Sequence, residues 1–139
     1  MTALAITLAS VFLVLALLHV HWALGGRSGW RGAIPEVGGQ PAFVPGAGVT
    51  LVVATLLAAC AALLVIASGI VAAPVSQRWI AIALGALALV LTARAVGDFH
   101  LVGFTKRVRG TRFARLDDRV YSPLCLLLAA GVAIVLHLR

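Results

Sequence analysis

The chain has 139 residues, of which 63% are hydrophobic and 11% charged, and its formal net charge is +7. Soluble domains carry about a quarter charged residues, so this composition excludes a globular domain that faces water on all sides. The length is that of one domain, residues 1–139, and we expect that domain to lie in a membrane.

Four apolar stretches separate the charged residues along the chain. A helix needs about 20 mainly apolar residues to cross a bilayer, so the stretches predict an all-α polytopic membrane protein with four transmembrane helices in a compact bundle. Because Met1–Ser10 contains no Lys or Arg, we expect a retained first helix rather than a cleaved signal peptide. Ser122 and Pro123 suit the N-cap and first position of the fourth helix. The four helices are predicted at residues 3–24, 47–72, 79–99 and 122–138.

Polar side chains appear at the end of the first predicted helix. His19 and Trp22 are three residues apart and therefore share a face. A tryptophan at this depth is typical of an interfacial anchor. A histidine inside a span is rarer. If His19 were hydrogen-bonded to Asp98 or Tyr121, the ring would hold one tautomer, as proton transfer requires. Alternatively, the hydrogen bond would only connect helices 1 and 3. Both interpretations stay open.

Most of the Lys and Arg residues lie in the first and third links, 25–46 and 100–121. Because such residues accumulate on the cytoplasmic side, we predict that these links are cytosolic and that both termini are extracytoplasmic, in a cell inner (plasma) membrane. The positive charge would then lie against the bilayer, so it indicates membrane lipids as partners and does not indicate nucleic acid.

The third apolar stretch, 79–93, is too short to span a bilayer alone, so the third helix must carry Arg94 and Asp98 into the membrane edge. Their four-residue spacing places them on one face and predicts an ion pair. Ionisable groups at such depth generally face the bundle interior or a water-filled cavity and mark a functional site. The alternative is an arginine that snorkels to the headgroups.

The third link is basic with interspersed apolar residues. From Thr111 onward, Phe113, Leu116 and Val120 recur at helical spacing beside several arginines. This pattern predicts an amphipathic helix lying in the membrane interface, with its apolar face in the acyl boundary. The alternative is that these charges only set the topology.

We predict a cytosolic polar site that binds an anionic amphiphile, such as a lipid or an isoprenoid phosphate, with the tail received by the bundle. No catalytic, metal-binding or cofactor motif is visible, so no metal and no cofactor are predicted. The alternative is a small membrane enzyme acting on a lipid-like substrate, with His19 or Asp98 as general acid or base and Tyr121 assisting. The predicted ligand contacts are Arg94, Asp98, Lys106, Arg107, His19, Trp22 and Asp117.

Three further functions stay open. His19 and His100 could ligate a b-type haem. A small transporter is a second alternative, although Asp98 lies near a membrane edge and not at its centre. The third is an accessory subunit, which would assemble with copies of itself or with other proteins.

A weak internal repeat relates the two halves of the chain, since His21 and Arg27 recur at the same spacing as His100 and Lys106. Such a repeat predicts two helical hairpins in parallel orientation, related by an axis along the membrane normal.

Several runs of residues resemble one bacterial family, called domain of unknown function 3995. The resemblance covers nearly the whole chain and implies a small four-helix membrane protein without an established activity, so it adds no catalytic residue. Position 105 is Thr where the family pattern has an aromatic residue. The runs that carry the resemblance are Arg94-Ala-Val-Gly97-Asp98-Phe99-His-Leu-Val-Gly103-Phe104-Thr-Lys106-Arg107, Thr111-Arg-Phe113-Ala114-Arg-Leu-Asp117, Tyr121-Ser122-Pro123-Leu124 and His19-Val-His-Trp22-Ala-Leu-Gly25-Gly26.

Overall fold

The computed structural model describes every residue from 1 to 139. Four of its helices are long and apolar enough to cross a membrane, so the protein is a multi-pass, all-α membrane protein, as predicted. Helices suit these segments because the bilayer offers no water, and a helix satisfies its backbone hydrogen bonds internally. In chain order the elements are α1 (Thr2–Ala23), α2 (Trp30–Ala33), β1 (Glu36–Val37), β2 (Gln40–Pro41), α3 (Ala47–Ala67), α4 (Gln77–Val96), α5 (Arg112–Leu116), a π-helical turn (Asp117–Tyr121) and α6 (Ser122–His137).

The helices pair as two hairpins. Helix α1 packs along α3, and α4 packs along α6, while smaller contacts between α1 and α6 and between α3 and α4 join the hairpins. Leu8, Phe12, Leu64 and Leu84 belong to the core that all four helices share. Close approach of α1 to α6 depends on Gly131, because a Cβ there would lie 2.8 Å from the Leu8 side chain. The compact bundle predicted from the sequence is therefore confirmed.

Two helices have bounds that differ from the prediction. Helix α3 ends at Ala67 rather than at residue 72, and the chain turns at Gly69, whose φ is +79°. Helix α4 runs from Gln77 to Val96 rather than from 79 to 99, because Gly97 has a φ of +101° and leaves the helical conformation. Residue 98 consequently lies outside the helix.

The fourth membrane helix begins earlier than predicted. It is continuous from Arg112 to His137, and Thr111 caps its start by accepting a hydrogen bond from the Ala114 N–H at 3.0 Å. A helix from Thr111 onward is therefore confirmed, but the predicted placement of Phe113 in the acyl boundary is wrong. The segment is helical, but it extends the membrane helix, and Phe113 is buried against the protein rather than in the acyl boundary.

The π-helical turn lies just before Pro123. Proline has no N–H for the carbonyl four residues earlier, and its ring crowds that carbonyl, so a helix commonly bends or widens there. Ser122 is consequently inside the helix and does not act as its N-cap. Its hydroxyl instead donates to Asp117, five residues earlier, which is the spacing that a π-helix brings into register.

Candidate functional site

The links of the two hairpins meet at one end of the bundle. We call this the polar end; it comprises residues 24–46 and 97–121. The Tyr121 hydroxyl donates to the Gly32 carbonyl at 3.0 Å, which joins the two links. Gly32 permits the contact, because a Cβ at this position would lie 2.7 Å from the Leu116 side chain.

An ion cluster lies inside the second hairpin at the polar end. We call Arg94, Lys106, Asp117 and Asp118 the buried ion cluster. The Asp117 side chain has no exposed surface and accepts from Arg94 Nη2 at 2.9 Å, Lys106 Nζ at 3.1 Å, the Gly103 N–H at 2.7 Å and Ser122 Oγ at 3.1 Å. A buried carboxylate is stable only with such partners, so its two oxygens are well satisfied.

All the hydrogen-bond donors of the Lys106 side chain are taken up within the protein. Its side chain is as buried as that of Asp117, and its ammonium donates to Asp117, to Asp118 and to the Gly103 carbonyl. An ammonium has three hydrogens, so none remains for a ligand. Arg94 has one nitrogen, Nη1, that is buried without an acceptor. The cluster therefore mainly connects α4, the second link and the start of the last helix within the second hairpin.

The predicted ion pair between Arg94 and Asp98 is wrong. Arg94 pairs with Asp117, because α4 ends at Val96 and Asp98 no longer shares a helical face with it. Asp98 is exposed, and its Oδ1 accepts the N–H groups that follow in the turn, namely those of His100 at 2.9 Å, Leu101 at 2.7 Å and Val102 at 3.0 Å. These bonds, that of Val102 foremost, lower the pKa of the Asp98 carboxyl.

The predicted hydrogen bond from His19 to Asp98 or Tyr121 is also wrong. His19 Nδ1 lies 2.8 Å from the Leu15 carbonyl of its own helix, and its ring meets that of Trp22 edge-on at 5.0 Å between centroids. Tyr121 is bonded to the first link instead. The acid–base site that would have combined these residues is therefore not assembled by hydrogen bonds.

A second group of cations lies in a cavity between the two links. This arginine cavity has a volume of about 520 Å³, which is within the range of small-molecule sites. No carboxylate lies within ion-pair distance of Arg27, Arg31 or Arg112, whose side chains line it. The first two come from the first link and the third from α5, so both hairpins supply positive charge.

The backbone of the first link adds further donors. The N–H groups of Arg27, Gly29 and Arg31 have no acceptor in the protein. The three residues also line the cavity, and Gly29 is in the left-handed conformation with a φ of +74°. The cavity thus combines guanidinium charge with free backbone donors.

An apolar groove adjoins the arginine cavity. It lies between α1 and α3, has a volume of about 230 Å³, and shares Trp22, Trp30 and Pro45 with the arginine cavity. Phe43, Val49 and Val53 of its lining are exposed, so the groove is open at the surface of the bundle. His19, Thr50 and Ile34 also line the groove.

The structure divides the predicted ligand contacts among separate places. His19 and Trp22 line the groove, and Trp22 also lines the arginine cavity. Arg107 is exposed and forms no ion pair, and His100 is exposed in the second link. No group of three or more His, Cys, Asp or Glu side chains lies close enough to hold a metal ion.

Sequence reasoning missed the arginine cavity. It counted Arg27 and Arg31 toward the membrane orientation and used Arg27 also in the internal repeat, but assigned neither to a site. A signal was present, since Trp22, Arg27 and Trp30-Arg31 are interspersed with glycines in the first link. Only the fold shows that Arg112, from the other hairpin, joins them.

The fold and the polar end define a small four-helix membrane protein in which two hairpins share a cation-lined cavity beside an apolar groove. The chain belongs to the family described as "Protein of unknown function (DUF3995)", whose match covers residues 12–132 and so includes at least part of each of the four membrane helices. The family resemblance seen in the sequence is confirmed. No curated protein and no solved structure matches the chain significantly.

Proposed function

We propose that the protein binds an anionic amphiphile at the polar end, with the head in the arginine cavity and the tail in the apolar groove. The observation that carries this proposal is that three arginines without acidic partners line a cavity that shares its walls with an apolar groove. A guanidinium offers paired donors in a plane, which suits a phosphate or carboxylate head.

Charge complementarity selects the occupant. An apolar molecule would leave Arg27, Arg31 and Arg112 without counter-charge, and a water-soluble anion would leave the groove unfilled. An amphiphile satisfies both, and the opening of the groove at the surface of the bundle lets a tail enter directly from the bilayer. The proposal keeps the predicted ligand class but moves the head away from Lys106, whose hydrogens are all donated within the protein.

We also propose that the polar end faces the cytosol of a bacterial plasma membrane. Arg27, Arg31 and Arg112 lie at the same end of the bundle as the other basic residues of the two links, and such residues are retained on the cytoplasmic side. Anionic lipid heads are abundant at that surface and would reach the cavity without leaving the bilayer.

The test uses two ligands that share one chain and differ in charge, hexadecyl phosphate and hexadecanol. Purified protein in a neutral detergent is titrated with each, and bound ligand is counted by native mass spectrometry. Hexadecyl phosphate is expected to bind, and Arg31→Gln and Arg112→Gln are each expected to weaken it about tenfold, since a hydrogen bond to a charged group contributes about 1.5–3 kcal/mol.

The matched control is Arg119→Gln, which removes the same charge from an exposed position at the polar end that does not line the cavity. Arg107→Gln tests in the same way the contact predicted from the sequence. Equal binding of the two ligands would contradict the proposal. Equal losses in Arg31→Gln and Arg119→Gln would do so as well, because they would show general attraction to positive charge rather than a site.

A further inference from the structure

We infer that the bound amphiphile carries a hydroxyl beside its anionic head, and that this hydroxyl donates a hydrogen bond to His19 Nε2. The inference rests on the proposed function and specifies its ligand class as a single-chain lipid phosphate with a free hydroxyl near the head. It follows from the hydrogen-bonding capacity of the polar side chains in the apolar groove.

His19 presents an acceptor to the groove. A carbonyl can only accept, so the 2.8 Å contact with the Leu15 carbonyl places the hydrogen of the neutral ring on Nδ1. Nε2 then carries the lone pair. This nitrogen has no hydrogen-bond partner in the protein. It is also accessible to solvent, because Arg94 Nη1 is the only fully buried side-chain nitrogen or oxygen that lacks a partner. The edge-on contact with Trp22 helps to fix the ring in this orientation.

Thr50 presents an acceptor as well. Its hydroxyl hydrogen is donated to the Gly46 carbonyl at 3.0 Å, which leaves only lone pairs for a ligand. Apart from the two tryptophans, His19 and Thr50 are the polar side chains that line the groove. An ionised phosphate has acceptors alone and matches neither of them, so a ligand atom that bonds to either side chain must be a donor.

The position of His19 places this donor at the junction of head and tail. His19 precedes Trp22 by three residues, so the two side chains are neighbours on α1. Trp22 lines both the arginine cavity and the groove, whereas His19 lines the groove alone. A ligand with its phosphate beside Arg31 therefore brings the first atoms of its tail past Nε2.

The groove also limits the number of chains. Its volume of about 230 Å³ is below the roughly 300–1,000 Å³ of ordinary small-molecule sites, so it takes the start of one chain. A 1-acyl-glycerol 3-phosphate has this chemistry, since its phosphate, free hydroxyl and single chain lie on adjacent carbons. Acylation of the hydroxyl would replace the donor by an ester, which only accepts, and would add a second chain.

The test compares 1-oleoyl-glycerol 3-phosphate with its 2-O-methyl ether, in which a methyl group replaces the donor hydrogen. Binding to the full chain in neutral detergent is measured by native mass spectrometry. The wild-type protein is expected to bind the free hydroxyl form about tenfold more tightly, because the ether leaves a desolvated acceptor without a donor. His19→Phe is expected to abolish the preference without weakening the ether.

His19→Gln is the second variant, since its amide oxygen can replace Nε2 as an acceptor, and it is expected to retain the preference. A wild-type protein without preference, or a preference that survives in His19→Phe, overturns this inference. If both ligands bind equally and Arg31→Gln weakens both, the proposed function stands and the inference alone fails. If neither ligand binds, both fail.

Discussion

Two groups of cations lie at the polar end and differ in how they are neutralised. In the buried ion cluster, Arg94 and Lys106 meet Asp117 within 3.1 Å, and Asp117 has no exposed surface. In the arginine cavity, Arg31 and Arg112 have no carboxylate within ion-pair distance and border open space. The comparison teaches that the charges held deepest in the protein stabilise it, whereas the charges left unpaired are available to a ligand.

The difference has an electrostatic cause. Withdrawing a charge from water is costly, so a buried cation must be matched by an acid and by hydrogen bonds. Lys106 fulfils this condition completely. An exposed arginine keeps its hydration and needs no partner, so its guanidinium can exchange water for an anionic head.

The largest effect is expected from Asp117→Ala. It leaves Lys106 buried without full compensation, so the free energy of unfolding is expected to fall by about 3–5 kcal/mol, measured by titrating the detergent-purified protein with a denaturing detergent. Asp118→Ala is the comparison: it removes the other carboxylate that Lys106 contacts, but the Asp118 side chain is 36% exposed, so water can take its place and a loss of only about 1 kcal/mol is expected. Equal losses of unfolding free energy in the two variants would show that the buried Asp117 contributes no more to stability than the partly exposed Asp118.

A smaller effect is expected from Gly103→Ala, which alters the loop that donates to Asp117. Gly103 and Gly110 have similar left-handed φ values, +81° and +86°, so alanine at either costs about 1–2 kcal/mol in backbone strain. Only at Gly103 would the new Cβ collide with backbone, 2.3 Å from Gly97 Cα. The same unfolding measurement is expected to show an additional loss of about 1–3 kcal/mol for Gly103→Ala. A loss no larger than that of Gly110→Ala would speak against tight packing of this loop.

Tyr121→Phe tests the hydrogen bond that connects the two links. Removing the hydroxyl leaves the Gly32 carbonyl without its donor, and about 1 kcal/mol of stability is expected to be lost. Hexadecyl phosphate is also expected to bind more weakly, because the bond holds the two links that together line the arginine cavity. Thr105→Val is the control, since it removes a hydroxyl-to-carbonyl bond within one hairpin. Thr105→Val should lower stability without weakening the binding of hexadecyl phosphate. If it weakened binding as much as Tyr121→Phe does, the bond between the two links would have no special role in the cavity.

The smallest effect is expected from Asp98→Ala, and it depends on pH. The hydrogen bonds of the turn lower the pKa of Asp98 in the folded protein. Its contribution to stability is therefore present above the unfolded value of about 3.9 and is lost as the pH falls through the lower folded value. Unfolding curves of the wild type and the variant should differ slightly at neutral pH and converge in acid. A difference that does not shrink as the pH falls would contradict this assignment.

Much of the fold could be predicted because it depends on local properties. Each apolar stretch is long enough for one membrane helix, and helix formation inside a bilayer requires no partner. The errors lie at helix ends. Gly97 ends α4 early, and Thr111 starts the last helix early, and Asp117 takes the place predicted for Asp98 as the partner of Arg94.

By itself, then, the sequence determined that this is a four-helix membrane protein, to which family it belongs, and that its cations gather at one end. The tertiary structure decided which cations are neutralised and which are free. Arg94 meets an acid 23 positions away, and the bond from Tyr121 to Gly32 joins residues 89 positions apart. Pairings at such separations depend on how the links fold onto each other, whereas helical spacing relates only residues on the same helix.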